Sequence, residues 1–114
     1  KGNADNETLT LLSTLKNRRI FLFGTAGFGG SDAYFQKILG QVRQSIDPSN
    51  TIIGEYMCQG KMPMELRERY ERAKEDPKKI ERILDNFDMA LSHPDENDLR
   101  QAKAFTQIIL RSIA

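Results

Sequence analysis

Four consecutive apolar residues, Ile20-Phe21-Leu22-Phe23, follow Arg18-Arg19 and run directly into Gly24, with further glycines at 27, 29 and 30. An apolar run without polar alternation is what a strand covered on both faces requires, as in a parallel sheet. The glycines punctuate a loop, and Ser31 stands where a helix N-cap belongs. The sequence therefore predicts a strand over 19–24, a glycine loop and then a helix.

The rest of the chain completes the unit. Phe35, Ile38, Leu39, Val42 and Ile46 fall on one helical stripe that ends before Asp47-Pro48. A second strand is expected over 51–58, β-branched at its start and closed by Gly60. A helical crossover of this length makes the two strands parallel. Ahead of this βαβ unit, Asp5 or Asn6 caps a short helix carrying Thr8, Leu11, Leu12 and Leu15. After it, Pro63 opens a helix from Met64 to about Lys74, which Pro77 interrupts. Ile80, Ile83, Leu84, Phe87 and Leu91 then mark a fourth helix. Leu99, Ala102, Phe105, Ile109 and Ile113 mark a fifth, with Asp95, Glu96 and Asp98 in its first turn, where carboxylates meet the positive end of the helix dipole. The fold class is α/β, with two parallel strands and about five helical segments.

Composition narrows the function. Seventeen Lys and Arg against sixteen Asp and Glu give a formal charge of +1 in 114 residues, which argues against a nucleic-acid partner, since neutralising many phosphates needs a strong basic excess. No run approaches the roughly 20 apolar residues of a membrane helix, so no membrane partner is expected. One cysteine and one histidine are too few for a disulfide framework or a structural zinc site, and a reducing, cytoplasmic setting follows.

Two segments lie where open α/β sheets place ligands, at the carboxyl ends of their strands. The first, Gly24-Thr25-Ala26-Gly27-Phe28-Gly29-Gly30-Ser31, matches neither G-x-G-x-x-G nor G-x-x-x-x-G-K-[ST]. Its small residues either let the backbone approach a planar ligand, with Phe28 as an apolar or stacking face, or simply form a tight turn into the helix. The second, Cys58-Gln59-Gly60-Lys61, lies on the same rim. Cys58 reads as a reactive thiol or as a small buried hydrophobe, and no activating base is identifiable. His93 reads as a capping or packing residue at a helix start. Met57, Met62 and Met64 either line a ligand pocket or fill gaps around the sheet. The mixed charges over 65–82 read as a solvated helical face. No metal site and no catalytic acid or base is assigned.

The order strand, Phe23-Gly24-Thr25-Ala26-Gly27 loop, helix, strand ending in Cys58-Gln59-Gly60-Lys61, then a helix opening with His93-Pro94-Asp95, resembles the flavodoxin-like family. The resemblance covers nearly the whole chain, and Lys1-Gly2-Asn3-Ala4-Asp5 looks like the loop after that fold's third strand. It implies a doubly wound sheet of order 2-1-3-4-5 that binds flavin mononucleotide (FMN) at its carboxyl edge. Residues 1–114 then correspond to the C-terminal part of a single flavodoxin-like domain, holding its fourth and fifth strands. The resemblance places Thr25, Ala26, Gly27, Phe28 and Gly29 beside the isoalloxazine ring, Gly2 and Asn3 on its other side, and Cys58 and Gln59 near the rim.

The family's phosphate-binding loop, approximately [ST]-x-T-G-x-T, has no counterpart in this sequence. Without its backbone donors and helix N-terminus the FMN phosphate is poorly held, so the chain alone is not expected to retain the cofactor. The resemblance implies, for the parent protein, noncovalent FMN binding and electron exchange with a redox partner protein. The competing readings are a noncatalytic α/β interaction module and a flavin-dependent reductase component. A strand without its third-strand neighbour exposes an apolar edge, for which a homodimer or strand exchange is the expected cover.

Overall fold

The computed structural model describes residues 3–27 and 32–113. Its elements, in order, are α1 (Asn6–Thr14), β1 (Arg19–Ala26), α2 (Asp32–Arg43), β2 (Thr51–Gln59), α3 (Met64–Glu71), α4 (Pro77–Ala90) and α5 (Glu96–Ser112). β1 and β2 pair in parallel, and a bulge opposite Ile20/Phe21 takes up one extra residue of β2. The expected α/β class, strand count and helix count hold.

The pleat sorts the side chains by face. Leu22, Gly24 and Met57 look towards α1 and α2, lining a cavity with Thr8, Leu12, Ile38, Leu39 and Val42. On that same face Arg43 of α2 grips Glu55 of β2 in a bidentate pair, Nε at 2.6 Å and Nη2 at 2.5 Å. The alternate set faces α5. The Phe105 ring lies 5.7 Å from Phe21 and 6.2 Å from Tyr56, and Ile109 packs where a side chain on Gly54 would otherwise go. Among the described residues the result is three layers, helix on sheet on helix, around two strands.

The helix ends follow the caps. Asp5 takes the α1 N-cap, accepting from the Thr8 amide at 2.8 Å, which also holds its carboxyl below the usual range. The expected interruption at Pro77 is observed, since α3 ends at Glu71 and Pro77 opens α4 behind the Asp76 cap, proline suiting a first helical turn that needs no donor. α3 stops at Glu71, short of the expected Lys74, and α2 stops at Arg43, short of Ile46. Ser31, the expected cap of α2, lies outside the described residues.

The expectation that β1 is covered on both faces fails at Phe23, which is 74% exposed. Among the described residues β1 has a partner strand on one side only, and α5 reaches Phe21 but leaves Phe23 and Leu99 open. The surface as a whole agrees. The accessible area is 8127 Å², against about 6,300 Å² expected for a compact monomer of this mass. The radius of gyration is 16.3 Å, against about 13 Å for a compact domain of this length.

Part of that extension comes from the segment between β2 and α5. Connections in α/β units usually take about 2–6 residues, whereas residues 60–95 build a helical hairpin of α3 and α4 with its own small core. Met62, Phe87 and Ala90 are buried there, Leu66 packs against them, and the Arg67 guanidinium lies 5.2 Å from the centre of the Phe87 ring. The hairpin sits at the carboxyl end of the strands.

Candidate functional site

β1 and β2 end together. Thr25 pairs with Cys58 and Ala26 with Gln59, so the two sequence segments singled out above share one rim. The Gly60 amide extends the ladder by donating to the Ala26 carbonyl at 3.1 Å. Two of the rim's glycines have packing reasons. A side chain on Gly27 would collide with buried Met62, and one on Gly60 would lie 2.6 Å from Cβ and Oγ1 of Thr25. Gly24 differs, for a side chain there would meet only the Met57 sulfur, at 3.6 Å.

On the α1/α2 side of the rim lies the cavity of about 180 Å³, walled mostly by the apolar residues named above and carrying polar groups at Asn3, Thr8 and Thr25. The structure thus brings Asn3, from the segment before α1, next to Gly24 and Thr25. On the α5 side lies an open apolar groove of about 360 Å³ along Phe23, Thr25, Tyr56, Cys58, Pro94 and Leu99. Gln59 turns inwards. It is buried, and its Nε2 donates to the Gly27 carbonyl at 3.0 Å. Of the expected ligand residues, Gly2, Phe28 and Gly29 lie outside the described residues.

Cys58 is half-buried in the groove. Burial, followed by the nearby Asp98 and Asp95 carboxylates, pushes its thiol up from the ordinary value. That is the wrong direction for a thiolate nucleophile at neutral pH. The Tyr56 hydroxyl donates to the Asp98 main-chain carbonyl at 2.9 Å, and burial is the main cause of its raised pKa, with Cys58 and the two aspartates adding to it. Met57 lines the smaller cavity, Met62 fills the hairpin core, and Met64 is exposed.

His93, Asp95 and Asp98 bring ligand-type atoms close together before α5, and the turn itself uses them. Asp95 and Asp98 form a reciprocal capping box, and His93 Nδ1 lies 2.6 Å from Asp98 Oδ2. This hydrogen bond holds the imidazole above its ordinary pKa and the Asp98 carboxyl below its own. His93, expected to cap or pack at the helix start, does not cap the backbone itself; Asp95 is the N-cap, and the imidazole pairs with the Asp98 side chain of the capping box.

Sequence reasoning missed Asn86. Its Nδ2 donates to the Gly27 carbonyl at 2.9 Å, from an α4 residue fifty-nine positions away. No local pattern marks such a residue, since the contact exists only once the hairpin folds back over β1.

The cavity on the α1/α2 side is too small to enclose a whole FMN. A 180 Å³ cavity falls below the roughly 300–1,000 Å³ of pockets that enclose a ligand. Among the described residues no buried side-chain nitrogen or oxygen lacks a partner, so no orphaned donor waits for a phosphate. Asn3, Thr8 and Thr25 are the polar side chains in the cavity lining.

Parallel strands joined through a helix, with a glycine loop and a second loop meeting on their carboxyl rim, define an α/β protein of the doubly wound class. The chain matches a family model described as a flavodoxin domain over residues 1–107, and it belongs to that family. It is 35% identical over 121 residues to the flavodoxin-like domain-containing protein BilS of Clostridium symbiosum (strain WAL-14163), the match covering 99% of this chain and 62% of that protein. Against the flavodoxin-like domain-containing protein BilS of Clostridioides difficile (strain CD3) it is 31% identical over 110 residues, covering 94% of this chain and 62% of the relative. The chain therefore spans less than two thirds of the length of these curated relatives. Among the described residues no helix is long and apolar enough to cross a membrane.

Proposed function

We propose that this chain is the C-terminal, ring-side part of a flavodoxin-like domain, and that the full-length parent binds FMN noncovalently and exchanges electrons with a redox partner protein. The observation that carries this reading is the shared rim. The loops after two parallel strands, together with the Asn3 segment, converge where doubly wound sheets hold their ligands.

Asn3, Gly24, Thr25 and the backbone of Ala26 and Gly27 would border the ring, with Gln59 behind them. FMN, when bound, supplies the redox chemistry. The chain's own residues shape an apolar border that limits water at the ring, and none of them is required to move a proton. Purifying the full-length parent with added FMN tests the reading: flavin absorption that co-elutes with the protein, with quenched fluorescence, is expected, and its absence refutes the proposal. The 114-residue chain is expected to elute free of flavin; a stoichiometric, tightly held flavin would contradict the assignment of the phosphate site to the rest of the parent.

One observation favours a second reading, a noncatalytic interaction module. Gly27 and Gly60 are explained by packing against Met62 and Thr25 without any ligand. Replacing Phe28 in the parent separates the two, because a pure scaffold shows no change in flavin affinity or redox activity.

A further inference from the structure

A carbonyl oxygen has two lone pairs, and that of Gly27 uses both. Gln59 Nε2 donates to it at 3.0 Å from the end of β2, and Asn86 Nδ2 donates at 2.9 Å from α4. Gln59 is 7% exposed, so the carbonyl is directed into the protein. Met62 closes over the Gly27 α-carbon from the segment between β2 and α3. Three separate segments therefore hold the first residue after β1. Two of them, the Met62 segment and α4, belong to the helical hairpin that departs from a simple β–α connection.

We infer that Asn86 and Gln59 are positioning residues, a pair of amide donors that fix the Gly27 carbonyl inwards and so set the orientation in which the β1 loop meets a planar ring at the rim. The inference rests on the flavin reading above. A saturated carbonyl does not accept a further hydrogen bond from the ligand, so the role of Gly27 is to anchor the loop. Turning that peptide over breaks two hydrogen bonds and leaves a half-buried acceptor unpaired, which is costly in a low-dielectric setting. The hairpin thereby gains a function beyond its own core. It supplies one of the two donors, and its folding and the geometry of the rim are linked through Asn86.

Asn86→Asp tests this. The replacement is isosteric, and at neutral pH its carboxylate lacks the donor and faces the Gly27 oxygen with like partial charge. In the 114-residue chain, the carbonyl carbon-13 resonance of Gly27 is expected to move upfield in the variant while the far-ultraviolet circular dichroism stays the same. In the full-length protein loaded with FMN, the variant is expected to raise the FMN dissociation constant about tenfold and to shift the flavin's visible absorption maxima. Those maxima report the surroundings of the ring and do not follow mere stability. An unmoved Gly27 resonance overturns the clamp, and a moved resonance with unchanged FMN affinity and spectrum overturns the positioning role. Should the aspartate unfold the hairpin, Asn86→Ala removes the donor without adding charge and is read in the same way. If the unsubstituted full-length protein takes up no FMN, the flavin reading falls, while the Gly27 resonance still decides whether Asn86 holds the loop.

Discussion

Phe23→Ala has two different costs depending on how much of the parent is present. In the structure Phe23 is 74% exposed, and its ring contact is with Phe21, centroids 5.6 Å apart. Burying a phenylalanine side chain completely is worth up to about 3 kcal/mol. With about a quarter of the residue covered, truncation should cost only about 0.8 kcal/mol in the isolated chain. If the full-length parent lays further structure over the open side of β1, the same ring becomes a core residue and its removal costs about 3–5 kcal/mol, cavity included. Urea unfolding reads the difference. With a slope near 2 kcal/mol per molar, the midpoint falls by about 0.4 M in the isolated chain and by about 2 M in the parent. The isolated chain is measured by light scattering as well, at concentrations where the midpoint no longer depends on dilution. This matters because a second copy covering the open edge would change the exposure of Phe23 and with it the cost of the substitution. Shifts of the same small size in both proteins would refute the reasoning, for the face would then be open in the parent too.

Gly60→Ala should destabilise the chain by about 1–3 kcal/mol, because its Cβ would stand 2.6 Å from Cβ and Oγ1 of Thr25, and a β-branched residue held in a strand has little room to yield; a loss under about 0.5 kcal/mol in the unfolding free energy from urea titration would show that the two loops are not in contact. The His93–Asp98 pair should give a pH dependence of known sign. The imidazole is held above its ordinary value of 6.5 by its hydrogen bond to Asp98, with Asp98 and Asp95 adding electrostatic support. Its contribution is therefore complete below about 6.5 and is lost as pH rises through the raised folded value. The Asp98 carboxyl is held below its ordinary value of 3.8, chiefly by His93, so its share is present above that value and is lost as pH falls through the lowered one. Stability should accordingly decline as pH rises above about 6.5, and His93→Gln should flatten that limb; an identical limb in the variant would remove His93 as its cause.

The elements legible in the sequence are those whose signal is local. The stripe of Phe35, Ile38, Leu39 and Val42 specifies α2, and Asp95 with Asp98 three residues on specifies the start of α5. The apolar run 20–23 specifies a strand, but its implied double coverage is a statement about neighbours. In this chain only Phe21 finds them, under Phe105, while Phe23 does not. Of the rim, the co-location of Thr25 with Cys58 followed from parallel pairing alone. The inward turn of Gln59 and the reach of Asn86 did not, because each depends on how the hairpin folds back. Pro77 marks the break between α3 and α4 as the sequence indicates, but its exact place in that break is not local information. A proline between two helical stretches fits an interruption and a first turn equally well until the Asp76 cap is seen.

Gly24 separates the ligand reading from the scaffold reading most directly. At Gly27 and Gly60 a side chain is excluded by protein atoms, so substitution there confounds ligand loss with misfolding. At Gly24 an added Cβ meets the Met57 sulfur at 3.6 Å, an ordinary van der Waals contact. Gly24→Ala should therefore leave the isolated chain as stable as before or raise it by up to about 1 kcal/mol, since alanine reduces the entropy of the unfolded chain and suits a strand better than glycine. Gly24 nonetheless borders both the 180 Å³ cavity and the groove on the opposite face, so the added methyl group enters space that the protein leaves open. If that space receives the ring, the full-length Gly24→Ala variant should bind FMN more weakly while unfolding no earlier, a combination that packing damage does not produce. Unchanged FMN affinity in a protein that binds FMN would mean that the ring lies elsewhere on the rim, and that the missing side chain at position 24 serves no ligand.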